Sequence, residues 1–147
     1  MDLHIRQADE TDLPAILALQ AILDPPGTPT MPMEDARCIF NRMDRYPDYR
    51  VWLAELDGRA VGTYSLIILD NLGHHGRRAG VVENVAVDPT SQGHGIGKAM
   101  MEHARRRCRE RNCYKLVLSS NLIRTEAHAF YDALGFERHG YSFRIEP

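Results

Sequence analysis

Leu3 and Ile5 alternate with His4 and Arg6 at the start of the chain, a period that predicts a short strand over residues 3–8. The period then changes. Leu13, Ile16, Leu17 and Ile22 recur at helical spacing, with Asp9 and Thr11 as candidate N-caps and Pro14 in a first turn that needs no N–H there. Residues 24–32 hold Pro25, Pro26, Pro29 and Pro32, so neither a helix nor a central strand runs through them. They form a stiff loop, either a connector or a wall of an acceptor pocket. Ala36, Ile39, Phe40 and Met43 share one face of a second helix, Met33 to Arg45. Residues 50–56 and 59–69 read as strands around Asp57-Gly58, a strong signal for a two-residue hairpin turn.

Polar, glycine-rich residues 70–78 follow. An apolar run over 79–87 then carries one carboxylate, Glu83, and leads into the turn Gln92-Gly93-His94-Gly95-Ile96-Gly97-Lys98. Met100, Met101, Ala104 and Cys108 mark the buried stripe of a helix from Ile96 to about Arg111, with Asn112 as its left-handed stop. A strand over 113–118, a short helix capped by Thr125 and closed by Gly135, and a last strand alternating Tyr141, Phe143 and Ile145 complete the chain. The order is βααβββαβαβ. The piece from 79 to 118 is a parallel crossover and the hairpin before it is antiparallel, so the fold class is α/β (α+β), with a mixed central sheet and helices on both faces.

At 147 residues the chain is expected to be a single domain, residues 1–147. A net charge of -2 argues against a broad nucleic-acid or membrane-surface role. Three cysteines without a CxxC spacing fit a reducing, cytoplasmic setting and not a disulfide framework or a zinc site. The N-terminus has no apolar signal-peptide core, and no run of about 18 apolar residues suggests a membrane span. The neighbours His74 and His75 lack the spacing of metal co-ligands, so no metal is expected. The arginines at 105–107, 109 and 111 read as the solvated back of a helix.

A strand, a turn and glycines opening a helix put free backbone N–H groups at a helix N-terminus, a ready place for phosphate. Two familiar patterns fail. Gly97-Lys98 is followed by Ala99 and has Gln92 where an NTPase loop needs glycine, and Lys98 stands where the dinucleotide fingerprint needs its last glycine. The pattern Q/R-x-x-G-x-G/A does fit, as Gln92 to Gly97. With the Glu-bearing strand before it and Phe130-Tyr131-Asp132-Ala133-Leu134-Gly135-Phe136 after it, the chain resembles the GNAT superfamily of acetyl-CoA-dependent N-acetyltransferases, in its small-molecule branch. The resemblance in element order covers essentially the whole chain and is specific over residues 81–136.

The resemblance implies acetyl-CoA as co-substrate, attacked directly by an amine in a ternary complex. Backbone N–H groups of Gly93, His94, Gly95, Ile96, Gly97 and Lys98 would hold the pyrophosphate, next to Gln92. The backbone of Val85, Ala86 and Val87 would hold the thioester and pantetheine and meet the oxyanion. Glu83 would take the proton of the attacking amine, directly or through water; between Val82 and Val85 it is expected to be partly desolvated, which favours its neutral form. Tyr131 would protonate the departing thiolate. Many family members carry Asn seven residues before this Tyr. Here that position is Arg124, so Asn121 and Arg124 are both candidates for the cofactor, and Arg124 also for an anionic acceptor.

The acceptor is read as a small primary amine, with Arg77, Arg78, Arg124 or Arg138 suited to a phosphate or carboxylate on it. A protein N-terminus or lysine is the alternative acceptor. A non-catalytic acyl-CoA-binding module is a further reading, which an intact Glu83, Tyr131 and glycine set argue against. Resemblance to the family suggests a homodimer through the C-terminal strand.

Overall fold

Strands β1 (Leu3–Gln7), β2 (Tyr49–Leu56), β3 (Arg59–Leu69), β4 (Arg78–Val87) and β5 (Cys113–Val117) form one sheet in sequence order. The first four pair antiparallel and β4 with β5 parallel. The coordinates, a computed structural model, describe residues 2–147 and divide into two compact units, Met1–Val117 and Leu118–Pro147. The larger unit also holds helices α1 (Leu13–Gln20), α2 (Met33–Met43) and α3 (Ile96–Glu110). The smaller holds α4 (Thr125–Ala133).

Local chemistry sets the element ends. Asp9 accepts from Thr11 N at 2.8 Å and Asp12 accepts from Asp9 N at 2.8 Å, a reciprocal cap worth about 1 kcal/mol that starts the turn before α1. Arg6 then ties β1 to this turn and to β2, meeting Asp12 at 2.8 Å and Glu55 at 2.7 Å. At the β2–β3 hairpin Asp57 and Gly58 both have positive φ, 51° and 80°, as the tight turn requires. Asn112 leaves α3 with φ 56°.

Helices cover both faces of the sheet, as the pattern predicts. On one face α3 buries Met100, Met101, Ala104 and Cys108, each large side chain contributing roughly 1.5–3 kcal/mol. The approach is close: a Cβ on Gly62 would stand 3.1 Å from both Ile96 Cγ2 and Met100 Sδ. On the other face Val51, Leu53 and Ala86 pack with Ile16 and Leu19 of α1, and Phe40 and Met43 of α2 join them.

The smaller unit departs from expectation in two places. Thr125 is the first helical residue of α4; the cap position is Arg124, which has no side-chain capping bond. The last strand does not form. Residues 138–147 have no strand pairing, and Tyr141, Phe143 and Ile145 are each about 90% exposed. Alternation marks a segment able to pair, but a strand needs a neighbour to satisfy its backbone. The end of α4 does follow the sequence. Phe136 N donates to Tyr131 O at 3.1 Å and Gly135 N to Asp132 O at 3.0 Å, with Gly135 left-handed at φ 91°. This double bond pattern closes the helix and fixes Phe136 beside Tyr131.

Candidate functional site

Strand β4 changes character halfway along. Ser65 pairs with Glu83 and Thr63 with Ala86, so Tyr64 alone faces both Asn84 and Val85. The extra residue is a β-bulge, and its signature is Asn84 at φ 54°, a left-handed conformation that asparagine tolerates well. The bulge reverses the alternation of sides. Val82 lies on the α3 side with Gly80, whose missing Cβ makes room for Cys108. Glu83 and Ala86 then share the α1 side, and Ala86 is buried in that core. Ala86 can thus serve an acyl donor only through its backbone, while the bulge releases backbone groups of Asn84 and Val85 from the β3–β4 ladder.

Glu83 is exposed. The expected desolvation by Val82 and Val85 is absent: Val82 points into the α3 core, and the bulge separates Glu83 from Val85. Burial, and then the negative field of Glu83, push the Tyr49 phenol upward. A cavity of about 210 Å³ on this face is lined by Phe40, Met43, Tyr49 and Val51 together with Asp9, Glu10 and Asp44.

Beyond β4, the glycine turn takes up conformations that L side chains rarely adopt. Gly93 and Gly95 are left-handed, at φ 83° and 74°, and no atom lies within 4 Å of where their Cβ would stand. Gly95 is the N-cap of α3 and accepts from Ala99 N at 3.0 Å. The N–H groups of residues 96–98 begin the helix without intrahelical partners and carry the positive end of its dipole. Ile96 is 2% exposed, so its side chain belongs to the core and only its backbone is left to serve a ligand. His94 does not point freely into the turn, because Nδ1 lies 3.0 Å from Ser91 O. Gln92 and Lys98 are exposed. This open cradle of donors fits a pyrophosphate.

In the smaller unit, Tyr131 packs edge-on between Phe130 and Phe136. Burial raises its pKa, with Arg124 opposing. The phenol is therefore protonated at neutral pH, the state an acid requires. Asn121 is committed to a turn: its Oδ1 accepts from Ile123 N at 3.1 Å, and its carbonyl oxygen accepts from Arg124 N at 3.0 Å. His128 Nε2 lies 2.8 Å from that same carbonyl, so His128 ties α4 to the turn. Arg124 is exposed.

Three of the four arginines suggested for an anionic acceptor already have partners. Arg77 donates to Cys113 O at 3.2 Å, Arg78 meets Asp70 at 3.1 Å and Arg111 O at 3.1 Å, and Arg138 meets Asp132 at 2.7 Å. His74 stacks on Tyr114 with centroids 3.9 Å apart. Among the described residues no three His, Cys, Asp or Glu side chains converge on a metal position. No helix among them is long and apolar enough to cross a membrane.

Periodicity also hid a polar pair in the core. Tyr64 OH and His103 Nδ1 are 2.6 Å apart, both buried, and Trp52 packs across His103. Burial, and then the charges of Arg106 and Arg107, push the His103 pKa down to about 4. Tyr64 sits in an apolar run and His103 on a helix rich in arginine; only their positions on the inward faces could have signalled the pair.

Comparison with known proteins agrees with this geometry. The chain is 32% identical over 146 residues to a glucosamine 6-phosphate N-acetyltransferase of Trypanosoma brucei brucei, covering 99% of this chain and 97% of that one. It is 31% identical over 103 residues to an aminoalkylphosphonate N-acetyltransferase of Salmonella typhimurium, covering 70% and 65%. A solved structure from Agrobacterium tumefaciens superposes with a TM-score of 0.91 at 30% identity, covering 98% of this chain and 99% of that one. The family profile described as "Acetyltransferase (GNAT) family" matches residues 16–136. The chain is an acetyltransferase of the GNAT family.

Proposed function

We propose that residues 1–147 act as one domain that moves the acetyl group of acetyl-CoA to the primary amine of a small molecule carrying a phosphate or phosphonate. The observation that supports this most is the bulge at Asn84-Val85 followed by the left-handed glycines before α3. A strand that opens its backbone and a turn that presents N–H groups suit the two ends of one elongated, anionic acyl donor. The acceptor class follows the relatives named above, both of which act on phosphorus-bearing amines by name.

Acetyl-CoA supplies the activated thioester. The chain's own residues bind, orient and move protons. The N–H groups of residues 93–98 hold the pyrophosphate, and backbone groups of Val85, Ala86 and Val87 align the pantetheine. An N–H freed by the bulge donates to the acetyl oxygen as negative charge grows on it. Glu83, exposed on the α1 side of β4, takes the amine proton through a water or directly. Tyr131 gives its proton to the departing sulfur. Both substrates are bound when the amine attacks, so no acyl group rests on the protein. Arg124, exposed and making no side-chain capping bond at the start of α4, is the arginine we assign to the acceptor or donor phosphate.

The test is release of free thiol from acetyl-CoA with a panel containing glucosamine 6-phosphate, aminoalkylphosphonates, unphosphorylated amines and peptides. Turnover is expected with the phosphorus-bearing amines, and Glu83→Gln should lower it about 100-fold. Turnover on peptides alone would assign the protein acceptor instead, and binding without turnover a regulatory module. We further propose a homodimer joined through residues 141–145, whose three large apolar side chains are solvent-exposed in one chain. Sedimentation should show twice the monomer mass, and Tyr141→Ser with Phe143→Ser should return it to monomer.

A further inference from the structure

The turn that carries the glycines is anchored from outside itself. Arg59, the first residue of β3, donates through one guanidinium nitrogen to Asp88 Oδ2 at 2.8 Å and through the other to Ser91 Oγ at 3.0 Å. Asp88 gathers the start of the turn: its Oδ1 accepts from Thr90 N at 3.1 Å and its Oδ2 from Thr90 Oγ1 at 3.0 Å. Asp88 N in turn donates to Val61 O at 2.8 Å, and Ser91 N to Asp88 O at 2.9 Å. Ser91 is 3% exposed, and its carbonyl is the group that His94 Nδ1 meets at 3.0 Å. A continuous line of bonds thus runs from the β2–β3 hairpin through Asp88 and Ser91 to His94, between the two left-handed glycines.

We propose that Arg59 is a positioning residue for the acyl donor: it clamps Asp88 and Ser91 so that the N–H groups of residues 93–98 are already aimed at the pyrophosphate, and it neutralises the one carboxylate at the base of that turn. This rests on the acetyl-CoA reading above. Two physical effects combine. Gly93 and Gly95 give the turn freedom that it must lose on binding, and an anchor at Ser91 removes part of that freedom in advance. A bare carboxylate at Asp88 would also repel an anionic ligand, and the guanidinium cancels it. The hydrogen bonds from Thr90 and Arg59 hold the Asp88 carboxyl below the usual carboxylate range, so the pair is charged throughout the neutral region.

The experiment measures affinity for acetyl-CoA and for its 3′-dephospho form by titration calorimetry, with wild type, Arg59→Ala, Arg59→Lys, Asp88→Asn and the double variant Arg59→Ala/Asp88→Asn. The expected loss for Arg59→Ala is on the order of tenfold for both donors alike. Arg59→Lys, which keeps the charge but cannot span both partners, should lose less. The double variant should be little worse than Arg59→Ala, because both changes release the same turn. Melting temperature without ligand checks each fold, and Arg59→Lys keeps the test alive should the alanine variant not fold. A loss confined to acetyl-CoA would mean direct contact with the 3′-phosphate and overturn the proposal, as would strictly additive effects or unchanged affinity. Failure of the wild type itself to bind acetyl-CoA would overturn the underlying reading, a result distinguishable because it does not depend on Arg59.

Discussion

Residues 79–98 and residues 118–147 carry the proposed chemistry in different ways. In the first stretch function rests on backbone. Asn84 turns left-handed, β4 bulges, Gly93 and Gly95 turn left-handed, and α3 begins with its N–H groups free. The glycine steps are fixed by a local conformational rule, and the side chains of Ala86 and Ile96 nearby are turned into the core. In the second stretch function rests on side chains. Tyr131 is held by Phe130, Phe136 and the closed end of α4, while the tail beyond it exposes Tyr141, Phe143 and Ile145. A backbone site tolerates many side-chain changes but few conformational ones. A side-chain site behaves the opposite way, and substitutions can test that contrast.

The largest effect is expected at Tyr131. Tyr131→Phe keeps the packing and removes the proton, so kcat should fall about 100-fold to 1000-fold with little change in KM for acetyl-CoA. Because burial raises this phenol above its ordinary value, the wild-type rate should hold on the alkaline side until beyond pH 10, and the variant should lack that limb. Gly95→Val comes next. It forces a branched side chain to φ 74°, and KM for acetyl-CoA should rise at least tenfold while kcat at saturation changes less. A rise in KM for Tyr131→Phe with a fall in kcat alone for Gly95→Val would reverse the comparison.

Smaller effects fall on stability. His103 has a folded pKa of about 4 against an ordinary 6.5. The unfolded chain therefore takes up the proton first. The stabilisation is complete above about pH 6.5 and is lost as pH falls toward 4, a change on the order of 3 kcal/mol. Thermal melts across that range should show the acid limb, and the double variant Tyr64→Phe/His103→Leu, which leaves no unpaired hydroxyl, should flatten it. The smallest is Asn84→Val, which should cost about 1–2 kcal/mol by denaturant titration because a β-branched residue resists a positive φ, whereas Asn84→Gly should be nearly neutral.

Much of this was legible in the sequence, for physical reasons that differ by region. The hairpin at Asp57-Gly58, the closure of α4 at Gly135 and the turn at residues 92–98 were readable because left-handed positions demand particular residues. The buried stripe of α3 followed from its period. The bulge was not readable, since Asn84 is one residue in an otherwise regular run and nothing local says that Tyr64 will face two partners. The exposure of Glu83 follows from that same bulge. The Tyr64–His103 pair and the Arg59–Asp88–Ser91 clamp join distant parts of the chain, which no local pattern reports. The final strand failed for the converse reason: Tyr141, Phe143 and Ile145 have the right alternation, but alternation describes faces and does not supply a partner.

The central claim is that one bound acetyl-CoA and one bound amine react directly on this chain. Initial rates of thiol release over a matrix of acetyl-CoA and glucosamine 6-phosphate concentrations test it. Double-reciprocal lines that intersect, with one thiol released per acetylated amine, are the predicted result. Parallel lines, or thiol release that proceeds equally well without the amine, would contradict it.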